Sequence, residues 1–283
     1  FGRGLVATPN DFGRLGQRPS HPELLDWLAC EFRECGFDER HLHWLMVTSA
    51  TYRQSARATP ERLANDPDNV WLARISRQRL PAESIRDQAL AVSGLLVTQQ
   101  GGPSVKIPQP PGIWEAVALP GSNTEYYVVD TGDALHRRSL YTFWKRTAPP
   151  PLLTTLDAPS RELCVVERQV TNTPLQVLAL WNDEGLVEAA RALAGRCVAA
   201  ADDEPARVRF AFRTLLQRAP SVSEAATCEQ LLRQQRTQYS GEHAVAQAQP
   251  GPALPDPTMN REHAAWIVLA NLLLSLDETL HRN

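Results

Sequence analysis

The sequence predicts a mainly α fold: a helical bundle with a long irregular Pro/Gly-rich middle region and a few short β-strands. Two observations carry this. Helix-capping residues followed by apolar positions at helical spacing recur before residue 98 and after residue 173, and glycine and proline crowd the stretch 99–132 so densely that no long element fits. The chain therefore divides into an N-terminal helical part (1–98), a loop-rich middle with short strands (99–172) and a C-terminal helical part (173–283), expected to form one compact domain. It starts at Phe1 without a methionine, and is expected to be truncated at its N-terminus.

In order along the chain, Ser20 and Glu23 have the spacing of a capping box, with Leu24, Leu25, Leu28 and Phe32 at helical spacing behind them and Gly36 as the stop. Asp38 caps a second helix carrying Leu42, Leu45 and Met46. Thr59-Pro60-Glu61 opens a third, and Val70–Leu80 and Pro81–Val97 read as two more, so that the first third is a helical bundle. Tyr126–Val129, Ser139–Trp144 and Leu163–Val166 are rich in aromatic and β-branched residues and read as short strands. Pro149-Pro150-Pro151 reads as an extended spacer. Helices return at Thr173-Pro174, near Asn182 or Asp183, at Pro205 and at Ser221, whose Glu224 completes a capping box. Gly241–Pro257 reads as a surface linker, and Met259–Leu280 as a last helix with Trp266, Leu269, Leu273 and Leu276 on one stripe.

Composition narrows function mainly by exclusion. The chain has 283 residues, 43% of them hydrophobic and 22% charged, which is ordinary globular composition. Twenty-nine cationic and 32 anionic side chains leave a net charge of −3, without the basic field that nucleic acid requires. No apolar run approaches the ~20 residues of a membrane span. Five cysteines, an odd number, argue against a disulfide framework, and Cys30 and Cys35, on a helix end, have neither zinc-knuckle nor redox spacing and read as structural thiols. His41 and His43 cannot share a metal from one helix face, and no metal site is expected. HExxH, CxxCH, GxSxG, P-loop and GxGxxG patterns are absent from the sequence.

Two clusters remain. In Arg137-Arg138-Ser-Leu-Tyr141-Thr-Phe-Trp-Lys145-Arg146, four cations flank aromatic residues. Guanidinium forks bind carboxylate or sulfate and aromatic faces stack on sugars or cations, so Arg137, Arg138, Tyr141, Lys145 and Arg146 are candidate ligand-binding residues, joined by Arg161 and Asn172. The competing structural reading puts the aromatics in the core and pairs the arginines with nearby carboxylates. Asp157 and Glu162 are a candidate acid/base pair, with Cys164 as a nucleophile lacking a histidine nearby in sequence; loop carboxylates more commonly fix arginines and cap helices.

The run from Arg137 to Pro151, with Asp157-Ala-Pro-Ser-Arg-Glu162, Thr171-Asn-Thr-Pro-Leu-Gln176, Ser20–Trp27 and Thr48–Ser55, resembles an uncharacterised planctomycete family, domain of unknown function 1553. The resemblance implies a piece of a large exported protein, periplasmic or at the cell surface, with a companion domain upstream and often a cytochrome c module. It brings no activity. Without CxxCH, no cofactor is expected here, and haem c would be attached elsewhere in the full-length protein. The leading reading is thus a binding or scaffold domain that holds the missing N-terminal domain or a glycan. The alternative is an enzyme acting on anionic polysaccharide or in redox chemistry, with Asp157, Glu162 and Arg138 in its site.

Overall fold

A computed structural model describes residues 1–239 and 257–282. The fold is mainly α, with one two-stranded sheet among the described residues. Two compact units divide the chain: residues 1–79 with 165–167 and 281–283, and residues 80–164 with 168–280.

In the first unit, α1 (Pro22–Glu34), α2 (Glu39–Thr48) and α3 (Pro60–Asn65) bury no side chain completely. The Asp38 carboxylate accepts the Arg40 N–H at the start of α2, and Thr59 caps α3 through the Arg62 N–H, as their spacing predicts. Ser20 does not cap α1: its hydroxyl donates to the Leu5 carbonyl and contacts His21 Nδ1, and the helix starts at Pro22. The helix expected over Val70–Leu80 is also absent. Asn69 and Leu72 have φ of 52°, the Asp66 carboxylate takes the N–H groups of Val70 and Trp71, and the Asn69 amide donates to the Arg74 carbonyl, so side chains satisfy the backbone in a non-helical path. The segment ends in β1 (Gln78–Arg79), antiparallel to β2 (His281–Arg282).

The second unit holds the core. Here α4 (Ala82–Ser93), α5 (Pro151–Thr155), α6 (Pro174–Asn182), α7 (Glu184–Ala200), α8 (Glu204–Leu216), α9 (Val222–Gln238), α10 (Pro257–Leu274) and α11 (Asp277–Leu280) surround α7 and α10. The helix α7 turns Leu186, Ala189, Ala190, Leu193, Ala194 and Cys197 inward, and its small residues let α4 and α10 approach closely. Trp266, Leu269 and Leu273 are buried on α10, as their stripe predicts, but the helix breaks before Leu276, and Thr279 donates to the Leu273 carbonyl beyond the break. Capping boxes at Thr173 and Ser221 start α6 and α9, and Asp183 caps α7. Apart from Pro257, which opens α10, the expected linker lies outside the described residues.

Strands expected in the middle region are not formed among the described residues. Ser139–Tyr141 is a single 3-10 turn, and Arg137 and Thr142 make only isolated bridges, to Val97 and Val105. Pro103, Pro108, Pro110 and Pro111 remove the donors that a continuing ladder between these segments needs. Tyr126–Val129 and Leu163–Val166 have no ladder partner among the described residues. Pro151 is the first residue of α5 rather than the end of a spacer, where its missing N–H costs nothing.

Burial pushes the Cys197 thiol up to about 12 and the Cys228 thiol up to about 11, whereas Cys30 and Cys164 are exposed and Cys35 is half-buried, donating to the Phe32 carbonyl. Cys30 therefore does not pack as expected. With a thiol reagent at pH 8, Cys30 and Cys164 react in the native protein, while Cys197 and Cys228 react only after denaturation. Fast reaction of all five thiols would contradict this packing.

The Arg218 guanidinium grips Glu224 and Glu278, with its shortest contacts at 2.7 and 2.6 Å. It holds the Glu224 carboxyl at about 2, against an ordinary 4.5, and the Ser221 N–H adds to the effect. Because the folded value is depressed, Glu224 stabilises the fold fully above the unfolded value and loses that contribution as the pH falls from 4.5 towards 2. Urea titrations at stepwise lower pH are expected to bring wild type and Glu224→Gln together over that window. A gap independent of pH would show that the pair contributes nothing through charge.

Candidate functional site: the middle knot

The loop-rich segment closes around a small core of its own, built on Val105, Ile107 and Trp114. Val105 donates to the Tyr141 carbonyl and accepts from the Phe143 N–H. Lys106 and Asp130 are tied twice, Asp130 N to Lys106 O and Lys106 N to Asp130 Oδ2, and the Tyr127 hydroxyl donates to the Ile107 carbonyl at 2.6 Å. Tyr127 stands edge-on to Trp114 at 4.8 Å and Phe143 lies tilted at 5.5 Å. Burial and the Asp130 charge push the Tyr127 phenol upward, so it stays a neutral donor. Without a ladder, these bonds and ring contacts hold the loops.

The candidate residues disperse into different jobs. Arg137 is buried, stacks on Tyr141 at 3.9 Å and donates to the carbonyls of Gln99, Gly101 and Pro103. Together with the Tyr141 hydroxyl, which accepts the Gly101 N–H, it clamps the glycine turn that follows α4. Arg138 is exposed and pairs with Asp87 at 3.5 Å. Lys145 donates to the Thr124 carbonyl and lies over Trp114. Arg161 stacks on Trp144 at 4.4 Å. Arg146, Glu162 and Asn172 are exposed, with no side-chain hydrogen bond or ion pair among the described residues.

Asp157, with a φ of 65°, turns its carboxylate to the Thr171 N–H and hydroxyl and to the Gln176 amide, and Gln176 also closes the α6 capping box. This is a latch between the end of α5 and the start of α6. No hydrogen bond or ion pair joins Asp157 to Glu162 among the described residues.

A second polar group, which motif reasoning does not single out, lies between α4 and α7. His136 and Glu188 are 3.1 Å apart, and with Arg86 and Asp183 they line a small cavity of about 10 Å³. Burial raises the Asp183 carboxyl and lowers the Arg86 guanidinium from their usual values. The space takes at most one water. Arg86 directs its donors at Leu135 O, Arg137 O and Ser139 Oγ, which makes it a brace for the loop.

Sequence reasoning also missed Lys106, Trp114 and Tyr127. Their signal was compositional: Lys106 and Lys145 are the two lysines among 29 basic residues.

Among the described residues, no group of three or more His, Cys, Asp and Glu is placed to hold a metal ion, and no helix is long and apolar enough to cross a membrane. Cys30 and Cys35 are five residues apart, and the Cys35 thiol donates to the Phe32 carbonyl.

No curated protein matches the chain, and no solved structure does. The family model PSD1, described as a protein of unknown function (DUF1553), matches residues 1–232, and with most of its length covered the chain belongs to that family.

Proposed function

We propose that this chain is a binding or scaffold domain of a larger exported protein, and that its first unit docks a companion domain of the same protein. One observation carries the reading. The helices α1, α2 and α3 bury no side chain, yet Trp27, Trp44, Leu24, Leu25, Val47 and Leu63 on them are exposed. Helices of this length draw most of their stability from burying an apolar face, and exposed large apolar side chains in such number mark interaction surfaces. The resemblance to exported proteins with companion and cytochrome c modules supports the same reading, with haem held on those modules. Asp157 is engaged with Thr171 and Gln176, and Arg138 with Asp87, which favours the binding reading over the alternative of an enzyme.

Hydrogen exchange tests it. Amides of α1 and α2 are expected to exchange at least tenfold faster in the isolated chain than in the full-length protein, with Trp27→Glu/Trp44→Glu abolishing the difference. Equal exchange in both contexts would sink the docking reading.

A further inference from the structure

The helices α8 and α9 leave an open groove of about 390 Å³ between them, lined by the buried Val208, by Pro205, Pro220 and Val222, and by Arg209 and Glu229. Val222 is 90% exposed at the first position of α9, where a large apolar side chain packs against little of its own chain. The two helices carry three carboxylates. Glu204 is held by Arg236 and Glu224 by Arg218. Glu229 has no ion pair or side-chain hydrogen bond among the described residues, and neither has Arg209. An unpaired charge on a surface is ordinary, since exposed pairs contribute little. Here one charge of each sign stands on opposite walls of an apolar groove, Arg209 on α8 and Glu229 on α9.

We propose that this groove is an interface between two copies of the chain, related by a two-fold axis that runs along it. Such an axis sets the α8 wall of one copy against the α9 wall of the other, so that Arg209 of each copy faces the partner's Glu229, and each contact occurs twice. An occupant of the groove has to bring an anion for Arg209, a cation for Glu229 and an apolar side chain for the space around Val208. The same face of a second copy brings all three, with Val222 as the apolar side chain. Opposite charges arranged in this way fix the register of an interface and select against other partners. The groove is small beside a standard interface, so the association is reversible, with a dissociation constant in the micromolar range. The inference goes beyond the docking reading and does not depend on it, since α8 and α9 lie in the second unit.

Sedimentation velocity over a series of concentrations tests it, on a chain carrying Trp27→Glu/Trp44→Glu so that the exposed helices of the first unit do not associate. A concentration-dependent dimer is expected. Arg209→Glu and Glu229→Arg each set like charges opposite one another twice, and each is expected to weaken the dimer at least about tenfold. Combining the two reversals restores opposite charges and is expected to return the affinity to within about threefold of the parent. Val222→Asp gives a second readout at an exposed position in the first turn of a helix, where an acidic residue suits the fold, and is also expected to weaken the dimer at least about tenfold. A chain that stays monomeric at every concentration overturns the proposal, and so does a dimer that Val222→Asp and the single reversals leave unchanged, or one that the double reversal fails to restore.

Discussion

Arg86→Met is expected to lower the unfolding free energy of the second unit by about 3–5 kcal/mol. The side chain is 5% exposed, and its guanidinium holds the Arg137 carbonyl at 2.9 Å, Ser139 Oγ at 3.2 Å and the Leu135 carbonyl at 2.5 Å. Methionine keeps the length and relieves a buried charge, but it leaves three acceptors without donors, at about 1–3 kcal/mol each. The neighbouring Asp87 continues to accept the Ser139 N–H, so the loop stays near α4 and cannot move freely to find water. Urea denaturation followed by far-UV circular dichroism measures the loss. Arg138→Met is the control: Arg138 is exposed and Asp87 keeps its bond to the Ser139 N–H, and a change within about 0.5 kcal/mol is expected. A loss below about 1 kcal/mol for Arg86→Met would mean that water replaces the guanidinium, and that Arg86 does not brace the middle knot.

Leu193→Ala is expected to cost about 2–5 kcal/mol. Leu193 is fully buried in the middle of α7, flanked by Ala189, Ala190 and Ala194, which are equally buried. A helix that already presents alanines to its neighbours has nothing on its own face to fill the hole, so the cavity persists. Trp27→Ala removes a larger side chain from α1, but Trp27 is half exposed, and its loss should stay within about 1 kcal/mol in the isolated chain. Reversal of that order would place the stabilising core in the first unit.

Much of the second unit could be read from the sequence. Thr173, Asp183 and Ser221 start their helices as caps, Pro205 lies in the first turn of α8, and the Trp266–Leu273 stripe is buried. These signals are local: a cap bonds to N–H groups two or three residues away, and a stripe needs only helical periodicity to define its face. Where expectations failed, a distant partner or a competing side chain intervened. Ser20 bonds to Leu5 instead of capping α1. The aromatic run at 139–144 lacks the ladder its composition suggests, because the segment beside it is rich in proline.

The candidate site shows the same division more sharply. Arg137, Arg138, Lys145, Arg161 and Asp157 are close in sequence, and sequence marks them as polar residues in need of partners. Those partners are Gly101, Asp87, Trp114, Trp144 and Thr171. Side chains that leave an irregular backbone have no fixed period to aim them, so spacing carries no information about direction. By itself the sequence determined the helix class, the caps apart from the one expected at Ser20, the buried stripe and the family of this protein. Only the tertiary structure decided that the arginines brace loops and that Asp157 latches two helices. It also decided that Lys106 and Lys145, 39 residues apart, meet on one ring, because loop-to-loop contacts are fixed by packing and long-range hydrogen bonds rather than by neighbours in the chain.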